Sequence, residues 1–177
     1  MSSPYWTPSG GLPPQTQLVA DRAVFTTSYA VIPKGVLTDI VTSQLPFWDN
    51  TRLWVLARPL TGFAESFSHY LMQVGPNGGS DRPESNKAAQ SVIFVTSGKP
   101  TLTINDQQHA LTPGSYAYIA AGTDWALTNN STKAANFHWI RKRYIAVDGI
   151  NQPDSFVTSD QDVEPSAMPD TDGRWAT

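Results

Sequence analysis

The stretch GSYAYIAAGTDWALTN at residues 114–129 decides the fold prediction. Its first half alternates aromatic and small residues up to Gly122, and a second short run starts at Trp125. Runs of this length, bounded by glycine and rich in aromatic or β-branched residues, are typical of β-strands. The stretch therefore predicts two short strands separated by a turn.

The same pattern of short strand-like runs continues on both sides of this stretch. Strand-like runs separated by turn residues recur about every ten residues, a spacing typical of an all-β sandwich or barrel. No segment shows the long apolar i, i+3, i+4, i+7 pattern of a helix. Asn105-Asp106 predicts a hairpin turn, and residues 75–79, GPNGG, predict a turn rather than a phosphate loop. The runs are residues 23–32, 36–43, 52–59, 66–74, 91–98, 101–104, 109–111 and 135–144.

Both ends of the chain differ in composition from this central part. Residues 1–21 are rich in Pro, Gly and Ser, which predicts an extended N-terminal arm. Residues 148–177 are acidic and contain prolines, which predicts a linker, although the terminal GRWAT could begin another strand. The predicted division is thus an arm at 1–21, a barrel at 22–147, and a linker with the possible start of a second domain at 148–177.

Composition excludes several classes of function. The 177 residues carry a net charge of −3, which does not favour a nucleic-acid partner. The chain has no cysteine, so disulfides and thiolate-bound zinc are excluded. No stretch approaches the ~18 apolar residues of a membrane span, and the first residues do not form a signal peptide. The predicted compartment is the cytoplasm, with no membrane partner.

Glycine spacing carries a family resemblance. Gly114, Gly122 and Asn129 fall in register with the second cupin motif, G-x5-P-x-G-x2-H-x3-N, while Gly75 and Gly98 bracket the first, G-x5-H-x-H-x3/4-E-x6-G. The runs SFSHYLMQVGPNGG, VIFVTSG, GSYAYIAAG and IRKRYIAVDG further resemble the N-terminal half of the (S)-ureidoglycine aminohydrolase family, also called glyoxylate-induced proteins. The likeness covers about residues 22–148 and implies a cupin-type β-barrel, a jelly roll or double-stranded β-helix.

Counting along these motifs locates the positions at which a cupin binds its metal. The His-x-His positions hold Asp81 and Pro83, the glutamate position falls near Gln90, and the third histidine position holds Trp125. A cupin site needs imidazoles and a carboxylate to converge on one ion, and this set does not supply them. We therefore predict no catalytic, cofactor-binding or metal-binding residues in this barrel. Asp81 with Glu84 remains the weaker alternative for a makeshift site, with His69 as a further suspect.

The three histidines each have a structural interpretation. His69 lies mid-strand and is expected to be a hydrogen-bonded barrel residue, and His138 alternates with aromatic residues in a similar setting. His109 follows a polar hairpin and is expected at the surface. Nothing in the sequence fixes the distances among them, so no Ser-His-Asp set is predicted. The six tryptophans are expected to be core or interface anchors.

The resemblance also implies a function. In that family the chain carries two cupins, and the manganese and the catalytic groups lie in the second. This chain would then be the non-metal-binding N-terminal cupin of an enzyme that releases ammonia from (S)-ureidoglycine in allantoin catabolism. Its role would be structural, with the second cupin as its partner, and a homo-oligomer is expected, with the arm as a swapped contact. Two alternatives remain open: a stand-alone cupin that binds a small polar ligand in a regulatory role, and a purely structural subunit.

Overall fold

The computed structural model describes residues 23–26, 28–33, 44–59, 66–164, 166–167 and 174–175. Within them the regular structure is entirely β, which confirms the all-β prediction. No helix in this part of the chain is long and apolar enough to cross a membrane. The predicted arm at 1–21 and the predicted run at 36–43 lie outside the described residues.

The described residues form 13 strands. They are β1 Val24–Phe25, β2 Ala30–Val31, β3 Asp49–Ala57, β4 Phe67–Ser80, β5 Ala89–Ser97, β6 Thr101–Ile104, β7 Gln107–Ala110, β8 Ser115–Ile119, β9 Trp125–Asn129, β10 Ala135–Arg143, β11 Phe156–Ser159, β12 Ser166–Ala167 and β13 Arg174–Trp175.

Nine of these strands form one antiparallel sheet that curls into a nearly closed barrel. Its order is β11-β8-β5-β10-β4-β9-β6-β7, and β3 pairs with β4 on the edge opposite β10. The core fills the inside of the barrel, because alternate residues of each strand point inward. On β10, Phe137 and Trp139 are buried while His138 and Ile140 face the other side, which confirms the predicted alternation.

The predicted turn at residues 75–79 is wrong: β4 runs through it as a 14-residue strand. Asn77 and Gly79 have positive φ angles of 56° and 135°, so the strand bends without ending. Beyond the bend β4 leaves β10 and pairs with β9 through Gly78, Gly79 and Ser80. The turn-forming residues thus redirect one strand between two partners.

Asn129 fastens the two strands at this bend. Its side chain is fully buried, and Nδ2 donates to the carbonyl oxygens of Val74 at 2.9 Å and Gly75 at 3.2 Å on β4. A third bond, 2.9 Å long, goes to the carbonyl of Lys133. The motif asparagine is therefore a structural residue that joins β9 to β4.

The run at residues 23–32 is divided where a single run was expected. β1 and β2 pair in a small hairpin, because Thr26 and Tyr29 form a turn in which the Thr26 amide donates to the Tyr29 carbonyl at 2.9 Å. The hairpin turn predicted at Asn105-Asp106 is confirmed between β6 and β7, and both residues have positive φ, 46° and 67°.

The barrel sheet also continues past the predicted boundary at residue 147. β11 pairs with the edge strand β8, because Phe156 packs on Tyr116 and Tyr118 and Val157 packs against the core. Further on, β12 and β13 form a separate two-stranded sheet, so the strand expected within GRWAT is present. Trp175 has Ser166 as its backbone partner there.

Candidate functional site

Aromatic side chains occupy the end of the barrel where the resemblance places a metal. Trp125 is only 7% exposed, and its ring centroid lies 6.5 Å from that of Trp48 and 5.8 Å from that of Trp139, edge to face in both cases. Phe137 completes this aromatic cluster at 6.3 Å from Trp48. The indole Nε1 of Trp48 donates to the carbonyl of Pro83 at 3.4 Å. The cluster is continuous with the core, and edge-to-face rings of this kind add stability beyond their burial.

The residues at the four presumed ligand positions do not converge. Trp125 and Pro83 belong to the aromatic packing, and the Asp81 side chain is 91% exposed. Gln90 is engaged elsewhere, because its Oε1 accepts a hydrogen bond of 2.8 Å from the Tyr118 hydroxyl. Indole and proline ring atoms offer no lone pair to an ion, so this donor set does not fit a manganese, zinc or iron site. In the described part of the chain, no three His, Cys, Asp or Glu residues are grouped so that they could hold an ion.

Glu84 and Arg141 form a largely buried ion pair beside the aromatic cluster. The side chains are 7% and 24% exposed, and Arg141 Nη2 lies 2.5 Å from Glu84 Oε1. The same oxygen accepts the Asn86 amide at 2.8 Å, and the guanidinium carbon of Arg141 sits 5.4 Å from the Trp139 ring. The other carboxylate oxygen, Oε2, is buried and has no hydrogen-bond partner among the described residues. Sequence reasoning named Glu84 only as a makeshift metal ligand, and its partner Arg141 was missed.

A groove of about 600 Å³ opens at this end of the barrel, and we call it the mouth groove. One wall is the β4–β5 loop, residues 81–88, and the other is formed by residues 103–106 and 122–126. Lys87 and Asp124 pair across it at the surface. Its charged lining residues are Asp81, Arg82, Glu84, Lys87, Asp106 and Asp124.

The histidines lie away from the mouth groove. His69 and His138 meet on the outer face of the barrel, with Nε2 of His69 2.8 Å from Nδ1 of His138. Burial, and then the neighbouring imidazole, lower the pKa of His69 from 6.5 to about 4, and burial lowers the pKa of His138. Both predictions of a structural, hydrogen-bonded role agree with this geometry. His109, expected at the surface, is partly buried and lines an adjoining groove of about 570 Å³ with residues 152–157.

The proximity of the two histidines was missed because the strand register was unknown. β4 and β10 pair so that His69 is opposite Ile140 and His138 is opposite Leu71, which makes the histidines diagonal neighbours on one face. Diagonal neighbours in a sheet are within reach of long side chains. If the register between residues 67–74 and 135–142 had been known, the proximity of the two histidines would have followed from it.

The Cupin domain family matches residues 70–141, the segment from within β4 to within β10. This part of the chain is a cupin domain. A solved structure with a similar fold is that of protein YlbA from Escherichia coli, which has a TM-score of 0.73 over 85% of this chain and 60% of its own. At 23% identity that likeness concerns the fold alone.

Two relatives of this cupin carry functional names. The chain is 55% identical to a glyoxylate-induced protein from Pseudomonas aeruginosa, with a TM-score of 0.79, over 96% of this chain and 61% of that one. It is 26% identical over 134 residues to the (S)-ureidoglycine aminohydrolase of Escherichia coli K12, which covers 75% of this chain and 49% of the relative. The chain thus spans about half the length of the curated relative that it matches.

Proposed function

We propose that this chain is the N-terminal, non-metal-binding cupin of a manganese-dependent (S)-ureidoglycine aminohydrolase. The observation that carries the proposal is the aromatic cluster of Trp48, Trp125 and Trp139 at the presumed metal position, in a chain similar to half of such an enzyme. An apolar cluster at that position supplies neither metal ligands nor groups for acid–base chemistry.

In this account the chemistry belongs to the longer protein. That protein would hydrolyse a C–N bond of (S)-ureidoglycine and release ammonia, as a step of allantoin catabolism in the cytoplasm. Manganese and the reacting groups would lie in a second cupin. The barrel described above would support folding and assembly, as a partner of that cupin and within a homo-oligomer.

Exposed apolar side chains after β10 support the assembly role. Ile145, Val147, Ile150 and Phe156 are 70%, 56%, 65% and 48% exposed, and they lie within 12 residues of one another. Several large apolar side chains exposed along one short segment are typical of interaction surfaces. We call these four residues the apolar segment and propose that the second cupin covers it.

The test is an ammonia-release assay with (S)-ureidoglycine on three samples: the isolated chain, the longer protein, and the isolated chain mixed with a separately produced second cupin. We expect release by the longer protein, restored release in the mixture, and only background release by the isolated chain. Turnover by the isolated chain comparable to that of the longer protein would contradict the proposal.

One observation favours the ligand-binding alternative, in which a metal-free cupin holds a small polar ligand in a regulatory role. The mouth groove is large enough for such a ligand and carries charged residues on both walls. The ammonia-release assay distinguishes the two functions, because a stand-alone ligand-binding cupin would not restore ammonia release to a second cupin.

A further inference from the structure

Glu84, in the lining of the mouth groove, has one carboxylate oxygen without a hydrogen-bond donor among the described residues. Oε1 of Glu84 accepts from both Asn86 and Arg141, but Oε2 has no partner among the described residues although the side chain is more than nine-tenths buried. Leaving a buried polar atom unpaired costs about 1–3 kcal/mol, and more for a charged group. Glu84 lines the groove, but Oε2 itself is buried, so a donor in the groove reaches it only when the surrounding side chains move apart.

The charges of the groove indicate the kind of donor. Its lining has four acidic residues, Asp81, Glu84, Asp106 and Asp124, against two basic ones, Arg82 and Lys87, a balance of −2 that becomes −1 when Arg141, the partner of Glu84, is included. Such a lining favours a cation over an anion. Trp125 also lines the groove, with 7% of its surface exposed.

We propose that the mouth groove binds a small organic cation, an alkylammonium or alkylguanidinium, whose N–H group donates to Oε2 of Glu84. Residues 83–86 are irregular, and Ser85, Asn86 and Lys87 are exposed, so side-chain movement there can open Oε2 to the ligand. Arg141 keeps Oε1 occupied and fixes the carboxylate, which leaves Oε2 as the free acceptor. The inference names the ligand for the ligand-binding alternative and does not depend on ammonia release.

The test titrates the full chain with four probes at equal ionic strength: methylammonium, methylguanidinium, neutral N-methylurea and propionate. The readout is the NMR shift of the Trp125 indole N–H and the Asn86 amide. We expect saturable shifts with one or both cations, binding of N-methylurea weaker by about tenfold or more, and none with propionate. The two cation arms show which cation class the groove prefers.

Matched variants then assign the binding to one carboxylate. Glu84→Gln should weaken cation binding about 10- to 100-fold, because a hydrogen bond to a charged group is lost. Asp148→Asn removes an exposed carboxylate that does not line the groove and should change binding by less than about threefold. If Glu84→Gln loses the native spectrum, the comparison of cations with N-methylurea on the unaltered chain decides alone.

Three outcomes would overturn the proposal. They are the absence of saturable shifts with either cation, equal binding of N-methylurea, and a folded Glu84→Gln variant that binds as tightly as the original chain. A water molecule that merely satisfies Oε2 would produce the first of these outcomes. None of them bears on whether the chain belongs to an aminohydrolase, because ammonia release does not enter the test.

Discussion

His69 and His138 share a hydrogen bond of 2.8 Å across β4 and β10, on the face of the barrel opposite the aromatic cluster. One ring donates its N–H and the other accepts, so the contact requires that they are not both protonated. Desolvation disfavours the charged form of both rings, which is why their pKa values are lowered. The pair therefore couples the stability of the central strands to pH.

The first prediction is a loss of stability in mild acid. The pKa of His69 is about 4 in the folded chain against 6.5 when unperturbed, so between these values the unfolded chain binds a proton that the folded chain does not. The stabilisation is complete above pH 6.5 and is lost as pH falls toward 4, by up to about 3 kcal/mol for the shift of His69. Denaturant unfolding at pH 7 and at pH 4.5 measures it.

The matched variants for this prediction are His69→Gln and His109→Gln. The first should flatten the dependence of unfolding free energy on pH between 4 and 6.5, because it removes the buried imidazole. The second alters a histidine that lies outside the pair and should leave the slope as it was. An unchanged slope in His69→Gln would show that other groups set the acid sensitivity.

The bend in β4 gives the second prediction. Gly79 has φ of 135°, and a Cβ there would collide with the backbone carbonyl oxygen of Leu127. Gly122 has φ of 85° but open space where its Cβ would lie. Gly79→Ala should therefore destabilise the chain by at least about 2 kcal/mol more than Gly122→Ala, since only the first adds a backbone clash to the strain. Equal unfolding midpoints for the two variants would contradict the assigned bend.

Much of the barrel was predictable because its strands are short, local and bounded by turn residues. Asn105-Asp106 shows this most clearly, since both residues favour the left-handed conformation that the hairpin requires. The same local signal failed at residues 75–79, because glycine and asparagine permit a bend within a strand as readily as a turn between strands. The position of β11 in the sheet could not be predicted either, because Phe156 and Val157 are held there by contacts with residues distant in sequence.

The candidate site was only partly predictable from the sequence. Motif counting placed Trp125 and Pro83 at metal-ligand positions of the cupin motifs, and in the structure both lie in the packing at the mouth of the barrel. The pairing of Glu84 with Arg141 joins residues 57 positions apart, and local patterns carry no information on such contacts. The free Oε2 of Glu84 is visible only once the side chains are placed.

The third prediction concerns the apolar segment. If the second cupin covers it, the isolated chain should self-associate through these exposed side chains. The double variant Ile145→Ser, Ile150→Ser should weaken self-association about tenfold or more in sedimentation equilibrium, with unfolding free energy changed by less than about 0.5 kcal/mol. Val55→Ser, at a position 42% exposed on β3, is the matched control and should leave association unchanged. Undiminished association of the double variant would place the contact elsewhere.

The central claim is that this barrel does not hold the catalytic metal, because Trp125, Pro83 and Gln90 occupy the ligand positions and are engaged in packing and hydrogen bonds. Elemental analysis of the purified chain, incubated with manganese, zinc or iron(II) and then dialysed, tests it most directly. The account predicts metal contents well below one equivalent per chain for all three ions. Near one equivalent of any of them surviving dialysis would contradict it.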